Sequence, residues 1–166
     1  MSEATIVVAR TTRRDWAALK AIRLESLLDT PEAYGSTYAA SATFADRQWR
    51  AMAENRAVYL ALLDGVAVGM ASGGRHDAHP GTRWLFSMYV TPAQRGSVVA
   101  RSLVEVVEAW ARNEGVNDLY LHVSTPVARA HAFYQKMGFV ETGERFAMER
   151  DASIQLITMK KSLVDV

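Results

Sequence analysis

Apolar residues along this chain alternate between two rhythms, a spacing of three and four and an unbroken or every-second-residue run, and the alternation predicts a series of helices and strands. Residues 5–10 read as a short strand. Trp16, Leu19, Ile22, Leu27 and Leu28 then recur at helical spacing. Thr11 or Thr12 can cap that helix, Asp15 sits in its first turn where negative charge is favoured, and Thr30-Pro31 stops it. PEAYGSTYAAS reads as a loop of small and aromatic residues. Residues 44–54 read as a second helix with Phe44, Trp49 and Met52 as apolar contacts. Residues 58–63 and 66–72 are strands joined by Asp64-Gly65, a strong hairpin signal. Residues 73–82 read as a polar loop carrying His76, Asp77 and His79.

The stretch from Trp84 to Trp110 organises the second half of the chain. Residues 84–90 are apolar without a break, as in a strand buried on both faces. Thr91-Pro92 ends the run, because proline lacks an N–H and biases its neighbour away from helix. Past a short turn, Val99, Leu103, Val106, Val107 and Trp110 predict a helix starting near Ser97 and capped by Gly115. Glu108 and Arg112 have the spacing of a favourable intrahelical pair. Residues 119–123 are the next strand, and residues 127–137 a short helix with Ala130, Phe133, Tyr134 and Met137 on one face. Gly138 ends it, and residues 139–142 and 154–160 read as closing strands around an exposed loop. The order of elements predicts a mixed α/β sheet with helices on both faces.

At 166 residues the chain has the size of one domain, so a single unit over residues 1–166 is expected. A formal net charge of +1 argues against an electrostatic nucleic-acid binder. The absence of cysteine excludes disulfides, a thiol nucleophile and thiolate metal sites. MSEATIVVAR shows no leader pattern, and no apolar run approaches the roughly 18 residues of a membrane span. A cytoplasmic protein without membrane or nucleic-acid partners is the expectation. The sequence leaves a homodimer open.

The turn Gln94-Arg95-Gly96-Ser97 lies between a strand and the start of a helix. The first N–H groups of a helix lack intrahelical partners and sit at its positive end, an arrangement that favours anions, phosphate above all. Arg95 adds a positive charge beside it. Most strand–turn–helix units bind nothing, so this feature alone does not decide a function.

Ala130-His131-Ala132-Phe133-Tyr134-Gln135-Lys136-Met137-Gly138-Phe139 resembles the A-x-x-F/L-Y-x-K-x-G-F segment of the GCN5-related N-acetyltransferases, the GNAT superfamily. The V-x-P-x-x-R-G run of residues 90–96, ahead of an amphipathic helix, resembles that superfamily's coenzyme A turn, written Q/R-x-x-G-x-G/A. The matching positions are Arg95, Val98 and Ala100. The resemblance implies a GNAT-like, mostly antiparallel twisted sheet of about seven strands with helices on both faces. It also implies that strands 84–90 and 119–123 splay apart around the pantetheine arm. The implied activity is N-acetylation of a primary amine, with acetyl-CoA as acyl donor and no metal.

Under that resemblance, the backbone of Arg95, Gly96, Ser97, Val98, Val99 and Ala100 holds the pyrophosphate. A backbone N–H around Met88, Tyr89 and Val90 faces the thioester carbonyl, where negative charge develops. Tyr134 serves the leaving thiolate. A phenol near pKa 10 is a weak proton source for a thiol near 8.5, so Tyr134 reads as a hydrogen-bond donor first. A core tyrosine is the competing reading. His122 is the candidate base, weighed equally against a histidine facing a covering helix. His76 and His79 read as solvent-exposed rather than metal ligands. Glu25, Tyr34, Tyr38 and Trp49 are candidate acceptor-binding residues. Phe44 and Glu32 also lie near that side, although a solvated helix face and a loop charge are the favoured readings of Glu25 and Glu32.

Two departures from the superfamily pattern stand out. Val98 replaces the glycine that lets the pyrophosphate approach the backbone, and Val127 replaces a common Asn. Three functions therefore remain open: a small-amine N-acetyltransferase, a protein or peptide N-acetyltransferase, and a degenerate fold kept as a binding or interaction module.

Overall fold

The structure is a computed structural model and describes residues 4–165. Seven strands form one sheet in the order β1-β2-β3-β4-β5-β7-β6. They are β1 (Ile6–Arg10), β2 (Ala57–Leu63), β3 (Val66–His76), β4 (His79–Val90), β5 (Asp118–Ser124), β6 (Val140–Met148) and β7 (Asp151–Ser162). All neighbours are antiparallel except β4 and β5. The helices are α1 (Trp16–Asp29), α2 (Tyr38–Ser41), α3 (Asp46–Asn55), α4 (Val99–Asn113) and α5 (Ala128–Lys136). This is the mixed, mostly antiparallel sheet that the pattern and the resemblance predict. Among the described residues no helix is long and apolar enough to cross a membrane.

Each face of the sheet has its own core. On one face α4 contributes Val99, Leu103, Val104, Val107 and Ala111, all fully buried against strand residues such as Leu85, Leu119 and Leu121. Burying one such Val or Leu side chain contributes about 1.5–3 kcal/mol, so this stripe is the main anchor of the sheet. On the other face Leu19 and Ile22 of α1 meet Trp49 and Ala53 of α3 over Val58, Leu60, Met70 and Tyr89. Leu28, expected inside, is 64% exposed, because it lies off the stripe of Leu19, Ile22, Ser26 and Leu27.

Residues 73–82 do not form the expected loop. Strands β3 and β4 run on through them to a tight turn, with His76 opposite His79. Gly73 permits this: a Cβ there would stand 2.2 Å from the Trp110 ring, so only glycine lets α4 lie this close to β3. Likewise β6 and β7 consume most of the predicted closing loop as a long hairpin. The Asp64-Gly65 turn forms as predicted, both residues having positive φ (50° and 82°). The Glu108–Arg112 pair does not form. Buried Glu108 accepts instead from Lys161 Nζ at 2.6 Å, and Arg112 Nε donates to the Leu163 carbonyl at 3.2 Å.

Candidate active site

The site begins with a fault in β4. Met70 pairs with Tyr89 and Ser72 with Phe86, so β4 fits one more residue than β3 into the same interval. The extra residue makes a bulge, and Ser87 takes a positive φ of 54°. A non-glycine residue in that region costs on the order of 1–2 kcal/mol. Bulges sharpen local twist and bend the strand that carries them. Here the parallel pairing of β4 with β5 is confined to Arg83–Leu119 and Trp84–Tyr120, just before the bulge. Beyond it the two strands share no register, which is the expected splay.

A cavity of about 900 Å³ opens at the splay. Its wall includes Ser87 and Met88 of β4, His122 and Ser124 of β5, and Tyr134 of α5. Tyr134 is only 7% exposed, and its ring packs against Phe133 and Phe139. Its hydroxyl makes no hydrogen bond among the described residues. Burial and the neighbouring Tyr34 push its pKa above the ordinary phenol value. The Tyr34 hydroxyl donates to the Met88 carbonyl at 2.7 Å, tying the loop after α1 to the bulge. Tyr34 is pushed up to about 12, chiefly by burial.

His122 does not face a covering helix. It lies in an aromatic cluster, 4.5 Å from Trp84, 4.8 Å from Phe146 and 5.8 Å from His76 between ring centroids. Burial first, then the positive charge that His76 and His79 can carry, lowers its pKa to about 4. His122 is therefore neutral at pH 7 and a much weaker base than an ordinary histidine. His76 and His79 belong to this cluster through Trp84 and not to a flexible loop, while His79 keeps the expected exposure. Among the described residues no group of three His, Cys, Asp or Glu is placed to hold a metal ion.

At the other end of β4, α4 starts with Val98 as its N-terminal cap. Arg95 N donates to Pro92 O, Ser97 N to Gln94 O, and Val99 N to Ser97 Oγ. The N–H groups of Gly96, Val98, Ala100 and Arg101 have no such partner among the described residues, which leaves four open donors at the start of the helix, an arrangement that favours anions. Gly96 holds φ at 80°, which lets the turn close. Val98 sits at φ −70° and ψ −9°, ordinary helical backbone, with its side chain 62% exposed. The position thus does not need glycine for its conformation. Arg95 is less free than expected: its guanidinium pairs with Asp29 of α1 and donates from Nε to the Val90 carbonyl at 3.2 Å. Its charge is partly matched before any anion arrives.

Of the candidate acceptor residues, Tyr34, Phe44 and Trp49 line the cavity, whereas Glu25 and Tyr38 do not. Glu25 accepts the Tyr89 hydroxyl at 2.7 Å, and Tyr38 is 40% exposed at the start of α2. Glu32 lies in the short turn after α1 and is outside the cavity wall. Sequence patterns did not single out Arg23, which lines the cavity from α1, or Arg150 in the β6–β7 turn. Arg23 had a visible signal: it falls four residues from both Leu19 and Leu27, on the buried stripe of α1. Arg150 had none. Its guanidinium donates to the carbonyls of Pro31 (2.6 Å) and Tyr34 (2.8 Å), clamping the loop after α1 to the far hairpin.

Comparison with known proteins agrees with this geometry. An aminoglycoside N(6')-acetyltransferase type 1 from Stenotrophomonas maltophilia is 39% identical over 93 residues, which is 52% of this chain and 61% of that protein. The protein of the same description from Salmonella typhimurium is 31% identical over 107 residues, 61% of this chain and 74% of its own length. A Salmonella typhimurium structure with its cofactor acetyl-CoA superposes with a TM-score of 0.78 at 23% identity, covering 99% of this chain and 96% of that one. The family model described as acetyltransferase (GNAT) family matches residues 19–139. With most of its length matched, from α1 to the end of α5, the chain belongs to the acetyltransferase (GNAT) family.

Proposed function

We propose that the protein transfers an acetyl group from acetyl-CoA to a primary amine of a small molecule by direct attack of the amine on the thioester. The observation that carries the reading is Tyr134, whose hydroxyl has no protein partner among the described residues at the wall of a cavity opening where β4 and β5 part. The open donors at the start of α4 suit the pyrophosphate, and the gap beside Met88 suits the pantetheine arm. The thioester carbonyl then lies against the β4 backbone, whose N–H groups stabilise the developing oxyanion. Tyr134 donates to the leaving thiolate. Its raised pKa makes complete proton transfer still less favourable than for an ordinary phenol, so the hydrogen bond itself is its contribution. His122 is neutral and can accept a proton, but only from an N–H made strongly acidic by the attack.

Arg150 favours a small acceptor over a peptide: it ties the β6–β7 turn to the carbonyls of Pro31 and of the wall residue Tyr34, and so holds the loop beside the cavity in place. The relatives named as aminoglycoside acetyltransferases also act on small amines.

Calorimetric titration with acetyl-CoA tests the cofactor half, using wild type and Val98→Gly. Both forms are expected to bind. The variant should bind more tightly, each tenfold gain being about 1.4 kcal/mol, because the Cβ methyls no longer crowd the pyrophosphate. Equal affinity would show that the exposed valine turns clear of the site and would leave the enzyme reading intact. No binding by either form would overturn it in favour of a module that kept the fold without the cofactor.

A further inference from the structure

The cavity lining is arginine-rich. Arg10, Arg23, Arg56 and Arg75 line it, and the only carboxylate of the lining among the described residues, Glu114, stands 3.5 Å from Arg83 Nε. None of the four lining guanidinium groups makes a hydrogen bond or ion pair among the described residues. Three of the four, Arg10, Arg56 and Arg75, are exposed to solvent. Arg23 is different. Its Nη1 is fully buried with no hydrogen-bond partner among the described residues, and its guanidinium lies over the Tyr34 ring, 4.8 Å from the centroid. Burial lowers its pKa, and Arg56 adds like-charge repulsion.

A desolvated cation without a counter-charge is among the costliest arrangements in a folded protein. The Tyr34 face offsets part of that cost and holds the guanidinium plane in place. With Nη1 buried, the remaining edge of this unpaired guanidinium, which lines the cavity, is the part that can donate to a carboxylate. Position points the same way. Tyr34 touches Arg23 through its ring face and the Met88 carbonyl through its hydroxyl. Tyr34 thus bridges Arg23 and the Met88 backbone, beside which the thioester is proposed to lie. The groups the acceptor needs, an amine and an anion, are then separated by a short spacer.

We infer that the acceptor is a small zwitterion, an amine that carries a carboxylate a few bonds away, and that Arg23 binds that carboxylate. The inference rests on the acetyltransferase reading above and narrows it. It also parts company with the relatives' named substrates: an aminoglycoside is a polycation, and a wall of unpaired arginines repels it.

The test compares the standard L-amino acids as free acids and as primary amides, together with kanamycin as a polycation, in an assay of thiol release from acetyl-CoA. At least one free acid should be turned over with kcat/KM at least 30-fold above its amide, and kanamycin should be inert. Arg23→Met, similar in length and uncharged, should raise KM for that acid at least 30-fold, bring the acid-to-amide ratio close to one and leave KM for acetyl-CoA unchanged. Arg23→Lys should recover part of the ratio and guards against a variant that fails to fold. Amides equal to acids in wild type, kanamycin as the better substrate, or equal losses on acid and amide in Arg23→Met would each overturn the inference. Binding of the N-acetyl amino acids and their amides, measured by calorimetry without acetyl-CoA, separates the two readings. If no amine is turned over but N-acetyl acids bind wild type and not Arg23→Met, the acetyltransferase reading fails and the anion site stands. If turnover occurs and no N-acetyl acid binds better than its amide, the anion site fails alone.

Discussion

Replacing Tyr134 by Phe removes one oxygen from a position where its loss can be read cleanly. The ring is held by Phe133 and Phe139 at centroid distances of 5.4 and 5.7 Å, contacts that a phenylalanine keeps. The hydroxyl makes no hydrogen bond among the described residues, so its removal costs the fold no internal bond. A hydrogen bond to a charged group is worth about 1.5–3 kcal/mol. At about 1.36 kcal/mol per factor of ten, kcat should fall about 10- to 150-fold. The thiolate exists only as the C–S bond breaks, so acetyl-CoA affinity should stay within about twofold of wild type. The assay is steady-state thiol release with a turned-over amine, alongside calorimetric acetyl-CoA affinity and thermal unfolding. The melting temperature should be unchanged or slightly raised. Because burial holds the Tyr134 pKa above its ordinary value, no basic limb from this residue should appear in the wild-type kcat profile below about pH 10. An unchanged kcat would remove Tyr134 from the mechanism. A parallel loss of acetyl-CoA affinity would assign it to ground-state binding instead.

Two further outcomes follow from the geometry. Gly73→Ala places a methyl 2.2 Å from the Trp110 ring, and overpacking of this kind costs about 1–3 kcal/mol, whereas Gly35→Ala, with nothing within 4 Å, should change stability by less than about 0.5 kcal/mol; equal unfolding midpoints would refute the close-packing account of β3. The His122 imidazole should titrate by NMR with a midpoint near 4, placing any acid limb it imposes on kcat/KM there instead of near 6.5. Its folded pKa lies below its unfolded one, so between about pH 6.5 and 4 the unfolded chain binds the extra proton and stability falls as pH falls; a midpoint near 6.5 would show the imidazole to be solvated.

Sequence alone determined the features that depend on neighbours along the chain. The stripe from Val99 to Trp110, the Asp64-Gly65 turn, the proline after β4 and the strand–turn–helix beside Arg95 are local patterns, and each formed at its expected place. The Tyr134 segment carried the family by residue identity, and the order of elements implied the sheet. Tertiary structure decided what depends on partners distant in the chain. Glu108 had a local partner in Arg112 and took Lys161 instead, because β7 brings that ammonium to a buried carboxylate. Arg95 met Asp29 only when α1 ended beside the turn. His122 lost its basicity to an aromatic cluster assembled from β3, β4, β5 and β6. Arg23 was visible as a charge on an apolar stripe, yet that it lacked a counter-charge depended on every element around it. Periodicity reports which way a side chain points, and only packing reports what it meets there: charge pairing and desolvation are set by distances across space, which the order of residues does not encode locally.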